Sequence, residues 1–98
     1  METLKVKAHK KIKKPNRFQV ILLNDDYTTM EFVVEVLRMF FGKSIEHANA
    51  LMLKIHIEGE AVCGVYSHDV AQTKVTQVIE FSRKNEQPLM CIIRELSD

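Results

Sequence analysis

Hydrophobic and polar positions alternate at the start of the foldable part of the chain. Phe18, Val20 and Leu22 alternate with Gln19, Ile21 and Leu23, a period of two that predicts a largely buried first strand from Phe18 to Leu23. Asn24, Asp25 and Asp26 stop it, because their short polar side chains bond the nearby backbone and favour turns. Thr28, with Glu31 three residues later, fits a capping box that starts a helix at Thr29. Met30, Val33, Val34, Leu37, Phe40 and Phe41 then share one apolar stripe at helical spacing. Phe32, Val36 and Met39 fall off that stripe, so this helix packs on two neighbours or exposes a groove. Gly42 ends it.

Ser44 caps a second helix, with Glu46 at its positive end. Ile45, Ala48, Leu51, Met52, Ile55 and His56 follow its apolar stripe, and Gly59 stops it. Ala61 to Ser67 is β-prone, with Gly64 marking a bulge or a close contact. Ser67 caps a third helix whose inward face is Ala71, Val75, Val78, Ile79 and Ser82. Arg83 and Lys84 lie favourably near its negative end. Pro88 permits entry to a last strand, Leu89 to Ile93. The order is β-α-α-β-α-β. Three strands need cover to be stable, which predicts an α+β fold: a three-stranded antiparallel sheet with three helices on one face.

Ninety-eight residues make one domain. Apolar content of 46% and charged content of 28% are ordinary for a globular protein. A net charge of +1 makes the whole chain neither a polycation nor an acidic solvating protein. Residues 1–16 differ from the rest. Lys5, Lys7, Lys10, Lys11, Lys13 and Lys14 stand against Glu2 alone, and Val6, Ala8 and Ile12 bury little. They are expected to form a flexible basic arm ahead of a core domain over 17–98. The arm lacks an apolar signal core, and no run approaches the ~20 apolar residues of a membrane span, so a cytoplasmic protein is expected. Cys63 and Cys91 both lie in apolar runs and read as buried free thiols, without the short spacing of a zinc site.

Candidate chemistry gathers at the first strand-to-helix corner. Acid–base work by Asp25 and Asp26 needs a partner at working distance, which spacing cannot supply. No Ser or Cys sits in a nucleophile elbow, and Gly42, Gly59 and Gly64 are too scattered for a phosphate loop. A binding role fits better. An α-ammonium has three donors, and Asn24, Asp25 and a neutral His56 offer acceptors. Met30, Val33, Met52 and Ile55 could wall a hollow for one large side chain, the methionines adapting to guests of different shape. Each of these features also has a plainer reading, as turn residues, a surface histidine or core packing.

The run Asn24-Asp25-Asp26-Tyr27-Thr28-x-Met30-Glu31-Phe32-Val33-Val34 resembles the signature of the ClpS family, bacterial adaptors for N-terminal degradation signals. The resemblance continues at Ala50 to His56, at Gly59 to Tyr66 and at Pro88-Leu89, over about residues 17 to 95. It implies a non-enzymatic adaptor, with no cofactor and no metal. Such an adaptor binds proteins with an N-terminal Leu, Phe, Tyr or Trp and delivers them to a ClpA-type unfoldase for degradation by ClpP. By the resemblance Asn24, Asp25 and His56 bind the α-amino group. Asp26, Thr28, Met30, Val33, Met52, Ile55 and Leu89 form the side-chain pocket, with Met30 as its gatekeeper. Asp69 and Lys74 meet the N-terminal domain of the unfoldase, and the arm serves delivery. The implied partners are N-degron peptides and proteins and the unfoldase, met by a monomer, with no nucleic acid and no membrane.

The chain departs from the family pattern at Thr29, where Pro is usual, at Ile55, where Val is usual, and at Gln72, where Glu is common. Ile55 adds a methylene to the pocket wall, which bears against Trp. Two other readings remain at this point: a small nucleic-acid or ribosome-associated domain using the basic arm, and an enzyme with Asp25, Asp26 and His56 around a metal.

Overall fold

The computed structural model describes residues 16–96; the expected arm, Asn16 aside, lies outside them. Strand β1 (Arg17–Leu23) leads to helices α1 (Met30–Phe41) and α2 (Ile45–Glu58), then β2 (Glu60–Tyr66), α3 (His68–Lys84) and β3 (Met90–Leu96). The sheet has three strands in the order β2-β1-β3, and both pairings are antiparallel. The expected architecture is the observed one. The strands at β2 and β3 differ by a residue or more at their ends: β2 starts at Glu60, and β3 runs on to Leu96 because it pairs with β1 back to Arg17.

The strand β1 is central, and its two faces meet different surroundings. Val20 and Leu22 point into the core shared with all three helices. Ile21 points the other way, yet it is also fully buried. Arg94, opposite Gln19, reaches Glu60, opposite Leu23, through Nη1–Oε2 and Nη2–Oε1 contacts of 2.9 and 3.3 Å. That ion pair runs diagonally across the face of β1 that carries Ile21. The expected irregularity at Gly64 is a bulge: Val20 pairs with Gly64 and Ile21 with Val62, leaving Cys63 as the extra residue. A Cβ at Gly64 would overlap the Tyr66 ring, which lies back over it.

The sequence stripe on α1 was half of the pattern. Phe32 and Val36, off the stripe, are buried with Val33, Leu37 and Phe41. The helix has two neighbours, as its second apolar side requires: it packs on α2 and on α3. The Phe32 ring stacks on Phe81 of α3 at 5.3 Å, and Phe40 meets the same ring edge-on at 5.4 Å. Gly42 ends the helix in the left-handed region at φ 60°. Ser44 caps α2 through His47 N–H at 3.1 Å. Ser67 opens α3, but its hydroxyl makes no capping bond; its carbonyl accepts from Ala71 N–H instead.

Cys63 and Cys91 are free and buried. They lie on β2 and β3 with β1 between them, about 9–10 Å apart at the strand spacing, beyond the ~7 Å that a disulfide spans. Burial pushes both thiols up to about 12, so neither is a nucleophile near neutral pH. Among the described residues no helix is long and apolar enough to cross a membrane.

Candidate functional site

Two backbone features bring the corner residues together. Gly59 closes α2 at φ 96°, a left-handed value that suits glycine. Its carbonyl then accepts from Asn24 N–H at 2.9 Å. The end of β1 is thereby fixed beside the last turn of α2, the turn that carries His56. Asn24 and His56 are 32 positions apart in sequence, and this bond, which continues the pairing of Leu23 with Glu60, brings them together.

Asp25 builds the turn itself. Its Oδ1 accepts from Tyr27 N–H at 2.8 Å and Thr28 N–H at 2.7 Å, and its Oδ2 accepts from the Thr28 hydroxyl at 2.7 Å. Partial burial pulls its carboxyl upward. The Thr28 hydroxyl, the Thr28 and Tyr27 N–H groups and the nearby Arg83 charge outweigh burial and hold it below the usual carboxylate range. Asp25 is therefore an anion at neutral pH. With three of roughly four acceptor positions in use, it keeps one for an incoming donor.

This turn corrects the expected helix start. Thr28 is not the cap, because both its N–H and its hydroxyl are taken by Asp25. The cap is Thr29, one residue later, whose hydroxyl accepts from Phe32 N–H at 3.1 Å. Thr29 N–H donates to Gln87 Oε1 at 3.2 Å, tying the corner to the loop after α3.

Between the corner, α1 and α2 lies a cavity of about 420 Å³, lined by Asn24 to Met30 together with Val33, Met52, Ile55 and His56. That volume is at the lower end of small-ligand sites. Its lining is graded. Val33 and Ile55 are buried, Met52 is half-buried, and Met30 is 44% exposed. Asn24, Asp25 and His56 supply acceptors to the same space. An apolar hollow with a set of acceptors fits a cationic group joined to an apolar one.

Nine of the ten residues expected at the amino-group site and the side-chain pocket line this cavity. Leu89 does not; it is 1% exposed and belongs to the main core. Tyr27 and Thr29 line the cavity without having been assigned to it. Tyr27 stands 81% exposed, and its place between Asp26 and Thr28 in the turn was the available signal.

Asp69 and Lys74 lie away from the cavity, around a separate hollow on α3 with Val70, Thr73 and Gln77. Asp69 is exposed, whereas Lys74 is engaged within the molecule: its ammonium donates to the Phe40 carbonyl at 2.6 Å and sits 5.7 Å from the centre of the Tyr66 ring. A cation there favours the negative end of α1. Among the described residues no group of three or more His, Cys, Asp or Glu side chains is placed to hold a metal ion.

Comparisons with known proteins agree with one another. Residues 13–92 match the family model described as ATP-dependent Clp protease adaptor protein ClpS. The chain is 52% identical over 90 residues to the ATP-dependent Clp protease adapter protein ClpS of Rhodospirillum centenum, covering 92% of this chain and 83% of that protein. To the protein of the same name from Albidiferax ferrireducens it is 58% identical over 82 residues, covering 84% of this chain and 68% of the other. The structure of Agrobacterium tumefaciens ClpS2 bound to L-phenylalaninamide superposes with a TM-score of 0.82 at 35% identity, over 85% of this chain and 100% of that one.

Proposed function

The chain belongs to the ClpS family of Clp protease adaptors, and we propose that its corner cavity captures the free N-terminal residue of a protein destined for degradation. One observation carries this reading: acceptors and an apolar hollow share a single cavity of about 420 Å³ between the β1–α1 turn and the last turns of α2. The ligand of the solved relative, L-phenylalaninamide, joins an α-amino group to a large apolar side chain, the pair of chemistries that this cavity offers.

The lining of the cavity supports a division of labour. The α-ammonium donates to the side-chain oxygen of Asn24, to the remaining acceptor position of Asp25 and to an unprotonated nitrogen of His56. Charge-assisted bonds of this kind are worth about 1.5–3 kcal/mol each. The first side chain enters between Met30 and Met52 and ends on Val33 and Ile55, gaining roughly 1.5–3 kcal/mol on burial. Asp26 and Thr28 flank it. Leu89 acts from beneath, as packing behind the wall. The chain performs no chemistry on its ligand and needs no cofactor; it presents the bearer to a ClpA-type unfoldase that feeds ClpP. The α3 hollow bounded by Asp69 and Lys74 is the surface assigned to that unfoldase, with Asp69 as the exposed charge. The setting for this activity is the cytoplasm.

A panel of peptides that differ only in the first residue tests the reading. Leu, Phe and Tyr should bind, and Ala in first position should weaken binding about tenfold to a hundredfold, the cost of an unfilled apolar pocket. Equal affinity for Ala-starting and Leu-starting peptides would refute the side-chain assignment.

A further inference from the structure

Met30 is the first residue of α1 and is 44% exposed. Core packing therefore does little to hold it, and its place depends on the backbone that enters the helix. That entry is fixed from outside. Thr29 N–H, which no helical carbonyl can reach, donates to Gln87 Oε1 at 3.2 Å.

Gln87 is itself held firmly. Helix α3 ends with Glu86 in the left-handed region at φ 60°. Gln87 N–H reaches back to the Ser82 carbonyl at 2.8 Å, and Glu86 N–H to the Arg83 carbonyl at 3.0 Å. This pair of bonds is a Schellman closure, here made with a non-glycine residue. The Arg83 guanidinium then donates to the carbonyls of Gln87 and Leu89, both at 2.9 Å. The backbone of Gln87 is clamped at both its N–H and its carbonyl, and its side chain carries that rigidity to the residue before Met30.

We propose that Gln87 is a positioning residue that sets the shape selectivity of the cavity. It holds Thr29, and through it the Met30 wall, against the loop after α3. The proposal rests on reading the cavity as a pocket for the first side chain. Gln87 makes no bond to Asn24, Asp25 or His56, so grip on the ammonium is independent of it. Its effect falls on which side chains fit. Thr29 and Gln87 form a matched pair: a proline at position 29 would have no N–H to offer, and the φ of −73° at Thr29 would accept one.

Peptides starting with Leu and with Ile test this, because the two side chains have the same atoms and differ only in branching. The wild-type protein should prefer Leu. Gln87→Ala should reduce the Ile/Leu ratio of dissociation constants about fivefold, the worth of one net hydrogen bond. Gln87→Glu keeps an acceptor oxygen and should keep the wild-type ratio. In a Thr29→Pro background, Gln87→Ala should leave the ratio where Thr29→Pro alone puts it. An unchanged ratio in Gln87→Ala, equal weakening for both peptides, or the same fall in the Thr29→Pro background would each overturn the proposal. Failure of the wild-type protein to bind either peptide would overturn the pocket reading, and this proposal with it.

Discussion

The two helices that wall the cavity are seated very differently. Helix α1 buries Phe32, Val33, Val36, Leu37 and Phe41 and is gripped from both sides. Helix α2 buries only Ala48 and Ile55, and it leaves Ile45, Leu53 and Ile57 exposed. Among the described residues its main contacts are with α1 and β2. A recognition pocket between one fixed wall and one lightly held wall keeps its register on the first and adapts on the second. Met52, half-buried on the lightly held side, is the adaptable residue of that wall.

Core truncation is the sharpest way to break this contrast. Leu37→Ala on α1 should cost about 2–5 kcal/mol, since a fully buried leucine leaves a cavity behind. Leu51→Ala on α2 removes a half-buried side chain and should cost about 1–2 kcal/mol, because less surface leaves water. Urea unfolding of both variants gives the two values; equal costs would show that α2 is seated as firmly as α1.

A smaller effect concerns the polar anchor before α1. The carboxyl of Asp25 titrates lower in the folded protein than in the unfolded chain. Its ionised form therefore favours folding, and that contribution is present above the unfolded value and lost as pH falls through the folded one. The stability difference between wild type and Asp25→Asn should be largest near neutral pH and shrink in acid. A difference that stays constant from about pH 7 to about pH 2 would remove Asp25 as the charged anchor of the corner.

The fold was legible because local and global signals agree along most of the chain. Alternation marked β1, Gly42 and Gly59 marked two helix ends, and Ser44 marked a helix start. The boundary at α1 was misplaced by one residue for a specific reason. Thr28 and Thr29 are both competent caps, and the choice between them is made by Asp25, which occupies Thr28. Such a competition is invisible to a spacing rule. The second apolar side of α1 was visible as Phe32 and Val36, but the ring that receives Phe32, Phe81, lies 49 positions away.

The site was legible in composition but not in assembly. Residue types pointed to a cation and an apolar group. The contact that joins them, Asn24 N–H to the Gly59 carbonyl, is a backbone bond that no side chain announces. Leu89 was assigned to the pocket only by family resemblance, and it packs in the main core. Lys74 was assigned to the unfoldase surface by family resemblance alone, and no sequence signal announced that its ammonium donates to the Phe40 carbonyl at the end of α1.

The central claim is that one cavity grips a charged chain end and the apolar side chain attached to it. Fluorescence anisotropy with a Leu- or Phe-starting peptide, compared with the same peptide acetylated at its α-amino group, tests it most directly. Acetylation removes the charge and two of the three donors, and binding should be lost. Equal affinity for the free and the acetylated peptide would contradict the account.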